Sequence, residues 1–182
     1  MLIQGQRVHM VRFERQHLDD PAYYAWLRDS EVVRYIGRDE LLEGIPFFEV
    51  EDYVEHLWAN ENCLFLAVYH SESDTFIGTA KINFSSEFGR RNDIGDVGIM
   101  LGARNFWSQG LATDVLRTLS KFAFDELGAR KLFAGAMSLN VAVIKAFLRI
   151  GYFEEGRLRQ QLFDKGFYCD HVLLGCFKHE LL

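Results

Sequence analysis

The sequence predicts an α/β fold of the α+β kind, with a mixed, mostly antiparallel central sheet of about seven strands and helices on both faces. Three observations lead there. The strand-like runs 64–69, 76–84 and 93–101 follow one another through short polar connections, which makes them antiparallel neighbours. The passage 95–137 then runs strand, helix, strand, a crossover that lays two strands side by side in parallel. Apolar residues also recur at helical spacing in several separate stretches, each with a face to bury.

Taken in order, residues 7–13 set Val8 and Met10 against His9, with Val11 and Phe13 following, and make a first strand. Asp20 and Pro21 supply the N-cap and first residue of a helix that buries Tyr23, Trp26 and Leu27; Ser30 then caps a short helix stopped by Gly37. The loop 38–48 carries Leu41, Leu42, Ile45, Phe47 and Phe48, an apolar load that an exposed loop does not need. It packs over something: an acceptor site on one reading, the core or the partner in a homodimer on the other. Val50, Tyr53, Val54, Leu57 and Trp58 are spaced as i, i+3, i+4, i+7 and i+8, an amphipathic helix.

Runs 64–69 and 76–84 form a hairpin across Ser71-Glu72-Ser73-Asp74, and a polar loop, 85–92, leads to the strand 93–101. After Ala112 the residues Val115, Leu119, Phe122, Ala123 and Leu127 mark the buried side of a helix, with Asp114, Arg117, Lys121 and Asp125 as its polar stripe. The strand 131–137 follows, and Asn140 caps a helix that Gly151 ends. Two last strands turn at Asp164-Lys165-Gly166, where Arg159 and Asp170 pair across them or contact an acceptor.

With 182 residues, 49% of them hydrophobic, and no Pro-, Gly- or Ser-rich linker, the chain is read as one domain, 1–182, with a substantial core. No apolar run approaches the roughly 20 residues that cross a bilayer, and no export signal opens the chain, so the expected location is the cytoplasm. The three cysteines lack C-x-x-C spacing and the six histidines lack an H-E-x-x-H pair, so neither a disulfide framework nor a metal is expected. A net charge of −6 argues against nucleic acid or an anionic membrane as the main partner. An anionic cofactor remains compatible, because backbone amides at one helix end are a local device and Arg104, Lys145 or Arg149 could hold a peripheral phosphate.

The most informative turn is Ser108-Gln109-Gly110-Leu111-Ala112-Thr113. Gly110 and Ala112 leave the first amides of the following helix uncovered, and unpaired N–H groups at a helix start suit a phosphate or pyrophosphate. The alternative is a plain cap, with Ser108 as N-cap and Gly110 as a turn residue. G-x-G-x-x-G is absent, which argues against a dinucleotide loop.

Trp107-Ser108-Gln109-Gly110-Leu111-Ala112 resembles the acetyl-CoA-binding motif Q/R-x-x-G-x-G/A of the GNAT acetyltransferases. Its form is similar to the W-G-K-G-Y-A variant of the branch that includes ribosomal-protein N-terminal and amino-sugar-pathway acetyltransferases, with Ser108 for a Gly. The pattern N-x-x-S/A-x-x-L/F-Y-x-K/R-x-G-F is matched at Asn140, Arg149, Gly151 and Tyr152, but Val143 and Phe147 stand where Ser or Ala and Tyr are usual. The tail resembles E-G-x-L-R…G-x-Y-x-D-x-x-L-L-G of the same branch, so the likeness runs almost the length of the chain.

The resemblance implies a GNAT-like fold whose central strands splay to form the cofactor cleft, acetyl-CoA as co-substrate, and direct transfer to a primary amine such as a nucleotide-linked amino sugar or a protein N-terminus. It places Ile99, Met100, Leu101, Trp107, Ser108, Gln109, Gly110, Leu111, Ala112, Thr113, Asn140, Phe147 and Arg149 against the cofactor, and Arg12 and Trp26 as acceptor contacts with structural readings of equal weight. Trp107 is counted through its backbone alone. Asp96, just before the strand segment 97–101, is the expected base, the alternative being a solvated strand residue. Phe147 lacks the hydroxyl that usually protonates the departing thiolate. That loss, together with Val143 where Ser or Ala is usual, motivates the alternative of a CoA-binding module without transferase activity.

Overall fold

The computed structural model describes residues 1–84 and 92–182; of the expected polar loop 85–92, only Asn92 is among them. Among these residues one eight-stranded sheet runs in the order β1-β2-β3-β4-β5-β6-β8-β7. Its strands are β1 Leu2–Gln4, β2 Val8–Arg12, β3 Cys63–His70, β4 Thr75–Asn83, β5 Ile94–Leu101, β6 Lys131–Met137, β7 Phe153–Asp164 and β8 Phe167–Phe177. Among the described residues, only β5 and β6 pair in parallel. The eighth strand is β1, whose three residues are too short to show an alternation in sequence.

Helices cover both faces. α1 Arg15–Leu18, α2 Pro21–Leu27, α3 Ser30–Val33, α4 Asp39–Glu43 and α5 Phe47–Ala59 pack on one, and α6 Leu111–Asp125 with α7 Val141–Leu148 on the other. β3 shows why its sequence is a continuous apolar run: Leu64, Leu66 and Val68 face α6, while Phe65 and Ala67 face the α2 and α5 side. Each such large side chain, once buried, stabilises the fold by about 1.5–3 kcal/mol.

Local chemistry sets the helix ends. The Asp20 carboxylate accepts from the Ala22 N–H at 2.9 Å, with Pro21 as first helical residue. The cap of α3 is Asp29, which accepts from the Glu31 N–H at 2.9 Å, so Ser30 is the first residue of the helix rather than its cap. The expected loop 38–48 is mostly helical: α4 buries Leu41, a break at Gly44 to Pro46 buries Ile45, and Phe47 opens α5. That break separates the short α4 from α5, so α4 is too short to show a helical period of its own and the α5 period starts only at Val50. Leu42 and Phe48 remain exposed.

Asp114 is not on a solvated stripe. Only 6% exposed, its carboxylate accepts the N–H groups of Gln6, Arg7 and Val8 at 3.2, 2.7 and 3.2 Å, and so holds the β1–β2 turn against α6. At the other edge, Asp170 pairs with Arg157 at 3.3 Å, not with Arg159. The β7–β8 register shifts between Leu158 and Leu162, where Gln160 takes a positive φ of 53° and gives its own N–H to Asp170.

Candidate active site

The parallel ladder holds only at Ile94, Gly95 and Asp96, opposite Lys131, Leu132 and Phe133. β5 continues to Leu101 and β6 to Met137, but they no longer pair with each other: β5 stays with β4 and β6 with β8. One edge of β5 past Asp96 therefore faces open space, and alternate residues of an unpaired antiparallel edge present free N–H and C=O groups. A cleft of about 780 Å³ fills the divergence. Asp96 to Leu101 line it from the sheet, the start of α6 and one side of α7 from one direction, and α2 to α5 from the other.

The start of α6 opens into this cleft. Its N-cap is Gly110, at φ 79°, a left-handed conformation open to glycine at no steric cost. No side chain caps the helix, and Ser108, also left-handed at φ 60°, is two residues short of the cap position. The first amides of α6 thus point outward with the positive end of the helix dipole behind them. Trp107, Ser108, Gly110, Leu111, Ala112 and Thr113 all line the cleft. The Trp107 side chain has a part that its sequence does not announce. Its Nε1–H donates to the Leu101 carbonyl at 2.8 Å and ties the loop to the end of β5, while the Arg104 guanidinium lies 5.7 Å over the indole ring.

On α7, the Asn140 side chain accepts from the Val143 N–H at 3.3 Å, the expected cap, and Asn140, Phe147 and Arg149 all reach the lining. Phe147 is 2% exposed and packs on Tyr152 with ring centroids 4.8 Å apart. The Tyr152 hydroxyl is 2.9 Å from that of Ser120 inside the core, so it serves packing rather than the cleft.

Asp96 stands at the last rung before the strands part. Burial raises its carboxyl above the ordinary carboxylate range, against the opposing effect of Lys81. Lys81 was not singled out from the sequence; it sits in β4 directly across from Gly98. A Cβ at Gly98 would come within 3.1 Å of Lys81 Cε, so the missing side chain lets the lysine stem lie across β5. Its ammonium ends 3.5 Å from the Tyr53 hydroxyl. Cys63 belongs to the same neighbourhood; burial raises its thiol, Lys81 lowers it and Asp96 raises it.

Three expected site residues lie elsewhere. Gln109 turns away: its side chain donates to the Asn105 carbonyl at 2.9 Å and its own carbonyl accepts from Arg7 at 2.7 Å. Trp26 packs in the α2 core over Gly102, where a Cβ would fall 2.0 Å from its ring. Arg12 borders a separate, smaller cavity of about 340 Å³ beside Trp58 and Cys63. Conversely, Tyr23 and Tyr53, read in sequence as buried helix faces, line the cleft, and Arg34 does so while forming a two-pronged pair with Asp164 at 2.8 and 3.3 Å. A partner 130 residues away leaves no local signal. Among the described residues, no three His, Cys, Asp or Glu side chains are grouped to hold a metal ion, and no helix is long and apolar enough to cross a membrane.

Comparison with known proteins agrees with this geometry. The profile of the acetyltransferase (GNAT) domain matches residues 7–152. The SPbeta prophage-derived uncharacterized N-acetyltransferase YokL of Bacillus subtilis (strain 168) is 28% identical over 153 residues, 84% of this chain and 81% of its own. Among solved structures, spermidine N-acetyltransferase from Vibrio cholerae, in complex with CoA and spermine, superposes with a TM-score of 0.83 at 16% identity over 96% of this chain and 97% of its own. RimJ of Mycobacterium smegmatis, in complex with CoA-disulfide, gives 0.81 at 17% identity over 100% of this chain and 89% of its own.

Proposed function

The chain belongs to the GNAT acetyltransferase family, and from that premise we propose that it transfers acetyl directly from acetyl-CoA to a primary amine, such as a nucleotide-linked amino sugar or a protein N-terminal amine. It does so as a single domain, 1–182, in the cytoplasm. One observation carries the reading: the unpaired edge of β5 and the uncapped start of α6 border one cleft, with Asp96 where the strands part. The open strand edge suits the amide-rich arm of CoA, and the bare helix start suits its pyrophosphate. Bound there, acetyl-CoA supplies an electrophilic thioester.

In this reading, backbone groups of Ile99, Met100 and Leu101 orient the pantetheine arm. Trp107, Ser108, Gly110, Leu111, Ala112 and Thr113 cradle the phosphates, and Asn140, Phe147 and Arg149 close the other side. Asp96 takes the acceptor's proton. A primary amine near pKa 10.4 is about 3 units too basic at pH 7, a cost of roughly 4 kcal/mol. A carboxylate raised by burial holds that proton better than an ordinary one, which makes it the stronger base. No tyrosine on α7 returns a proton to the leaving thiolate: position 147 is Phe, and the Tyr152 hydroxyl is held by Ser120. A thiol near pKa 8.5 departs without that help.

The test is CoA release with a panel of amines, alongside equilibrium binding of acetyl-CoA. Release above background with an amino sugar or a peptide N-terminus supports the proposal. Binding of acetyl-CoA without release by any amine leaves a CoA-binding module and refutes it.

A further inference from the structure

The half of the cleft away from α6 holds a polar cluster that proton removal does not use. Tyr23, 2% exposed, borders the cleft, and its hydroxyl has no hydrogen-bond partner among the described residues. Tyr53 stands beside it on α5, carrying the Lys81 ammonium 3.5 Å from its hydroxyl and the Arg38 guanidinium 5.2 Å from its ring centroid. Arg38 has only a loose pair with Glu40, 3.8 Å apart, and the Glu40 side chain is 60% exposed. Lys81 has no carboxylate within ion-pair distance among the described residues, though it feels Asp96. Arg34, by contrast, is already matched by Asp164. Two cations with no carboxylate closer than 3.8 Å among the described residues, and two tyrosine hydroxyls, therefore converge in the acceptor half of a chain whose net charge is −6.

Hydroxyl and cationic donors around one space are a built recognition site for an anion, and charge-assisted hydrogen bonds are the strong ones. Burial raises the Tyr23 hydroxyl well above its ordinary range, so it stays protonated and able to donate. A polycationic acceptor would instead bring further positive charge against Arg38 and Lys81. We propose that the acceptor amine carries an anionic group, a carboxylate or a phosphate, which Arg38, Lys81, Tyr23 and Tyr53 bind while the amine faces Asp96. This rests on the acetyltransferase reading of the cleft.

Matched amines test it through initial rates of CoA release. The phosphate arm compares glucosamine 6-phosphate with glucosamine, and the carboxylate arm compares the amidated tripeptides Ala-Glu-Ala and Ala-Gln-Ala; spermidine is the polycationic control. An anionic member with kcat/KM at least ten times that of its neutral partner, in either arm, is expected, and the arm identifies the group. The ratio falls several-fold in Lys81→Met and in Arg38→Gln, and it shrinks as salt rises. Neutral partners or spermidine that match or exceed the anionic amines overturn the inference and leave the acetyltransferase reading intact. If no amine releases CoA, that reading fails, and calorimetry on the CoA-loaded protein decides the subsite. Glucosamine 6-phosphate or the Glu tripeptide must then bind more tightly than its neutral partner; equal or absent binding overturns the inference.

Discussion

Replacing Asp96 by Asn keeps the shape of the side chain and removes its proton affinity. A positioned base contributes about 10²–10⁴-fold, so kcat/KM for the best acceptor falls by about that factor. The loss is largest at low pH, where the amine holds its proton most firmly. Stability moves the other way. Burial raises the Asp96 carboxyl above its ordinary value, so folding disfavours the charged form. The folded state then holds the proton more tightly than the unfolded one, and stability drops as pH rises through the window between the ordinary carboxylate range and the raised value. Above that window the wild type keeps this cost and Asp96→Asn does not. At pH 7 the variant should melt at the wild-type temperature or above it while losing activity. The assay pairs a pH profile of CoA release with thermal melts of both proteins. Activity within threefold of wild type across the profile, with the same acid limb, would refute the role of Asp96.

Asp114→Ala leaves the Gln6, Arg7 and Val8 N–H groups without their acceptor, and should cost about 2–3 kcal/mol in urea unfolding; a change below about 0.5 kcal/mol would contradict the description of the turn. Trp107→Phe removes the indole donor to the Leu101 carbonyl. A loss of about 1 kcal/mol there weakens acetyl-CoA binding about fivefold by calorimetry, and unchanged affinity would show that the tie is idle. His17 is buried among Phe13, Tyr69 and Phe76, its Nδ1 accepts from the Glu14 N–H at 2.8 Å, and its Nε2 has no partner among the described residues. Burial lowers its pKa, so the unfolded chain gains the proton first and stability declines as pH falls below about 6.5. His17→Gln should flatten that decline in urea midpoints measured between pH 7 and 5, and parallel curves would remove His17 as its source.

Much of the frame was legible because its signals are local. α7 announces itself through the Asn140 cap, although it ends at Leu148 with Arg149 as C-cap, two residues before the left-handed Gly151, and β6 falls at 131–137 as expected. The bare start of α6 follows from small residues at 110 and 112, yet the cap proved to be Gly110 and not Ser108. What stayed hidden depends on residues far apart in the chain. Asp114 looked solvated because three amides of the N-terminal turn, over 100 residues earlier, cover it. Tyr23 and Tyr53 sit at apolar helical positions, and periodicity cannot separate a core wall from a cleft wall. Lys81 gains its place from Gly98 across the β4–β5 ladder, a pairing that only the register reveals.

In the proposed function, the splay of β5 and β6 with the open start of α6 holds acetyl-CoA. A thermal shift of the wild type and of Thr113→Glu, each with acetyl-CoA, with NAD and without ligand, tests it most directly. Acetyl-CoA at 100 times Kd should stabilise the wild type by about 2.7 kcal/mol, roughly 5 to 10 °C for a chain of this size, with no comparable shift from NAD. A carboxylate in the first turn of α6 favours the helix itself but repels a phosphate, so Thr113→Glu should melt no lower than the wild type unliganded and lose most of the acetyl-CoA shift. An equal shift in both proteins would take the phosphates away from the α6 start. No shift in either, with no binding by calorimetry, would contradict the account of the cleft.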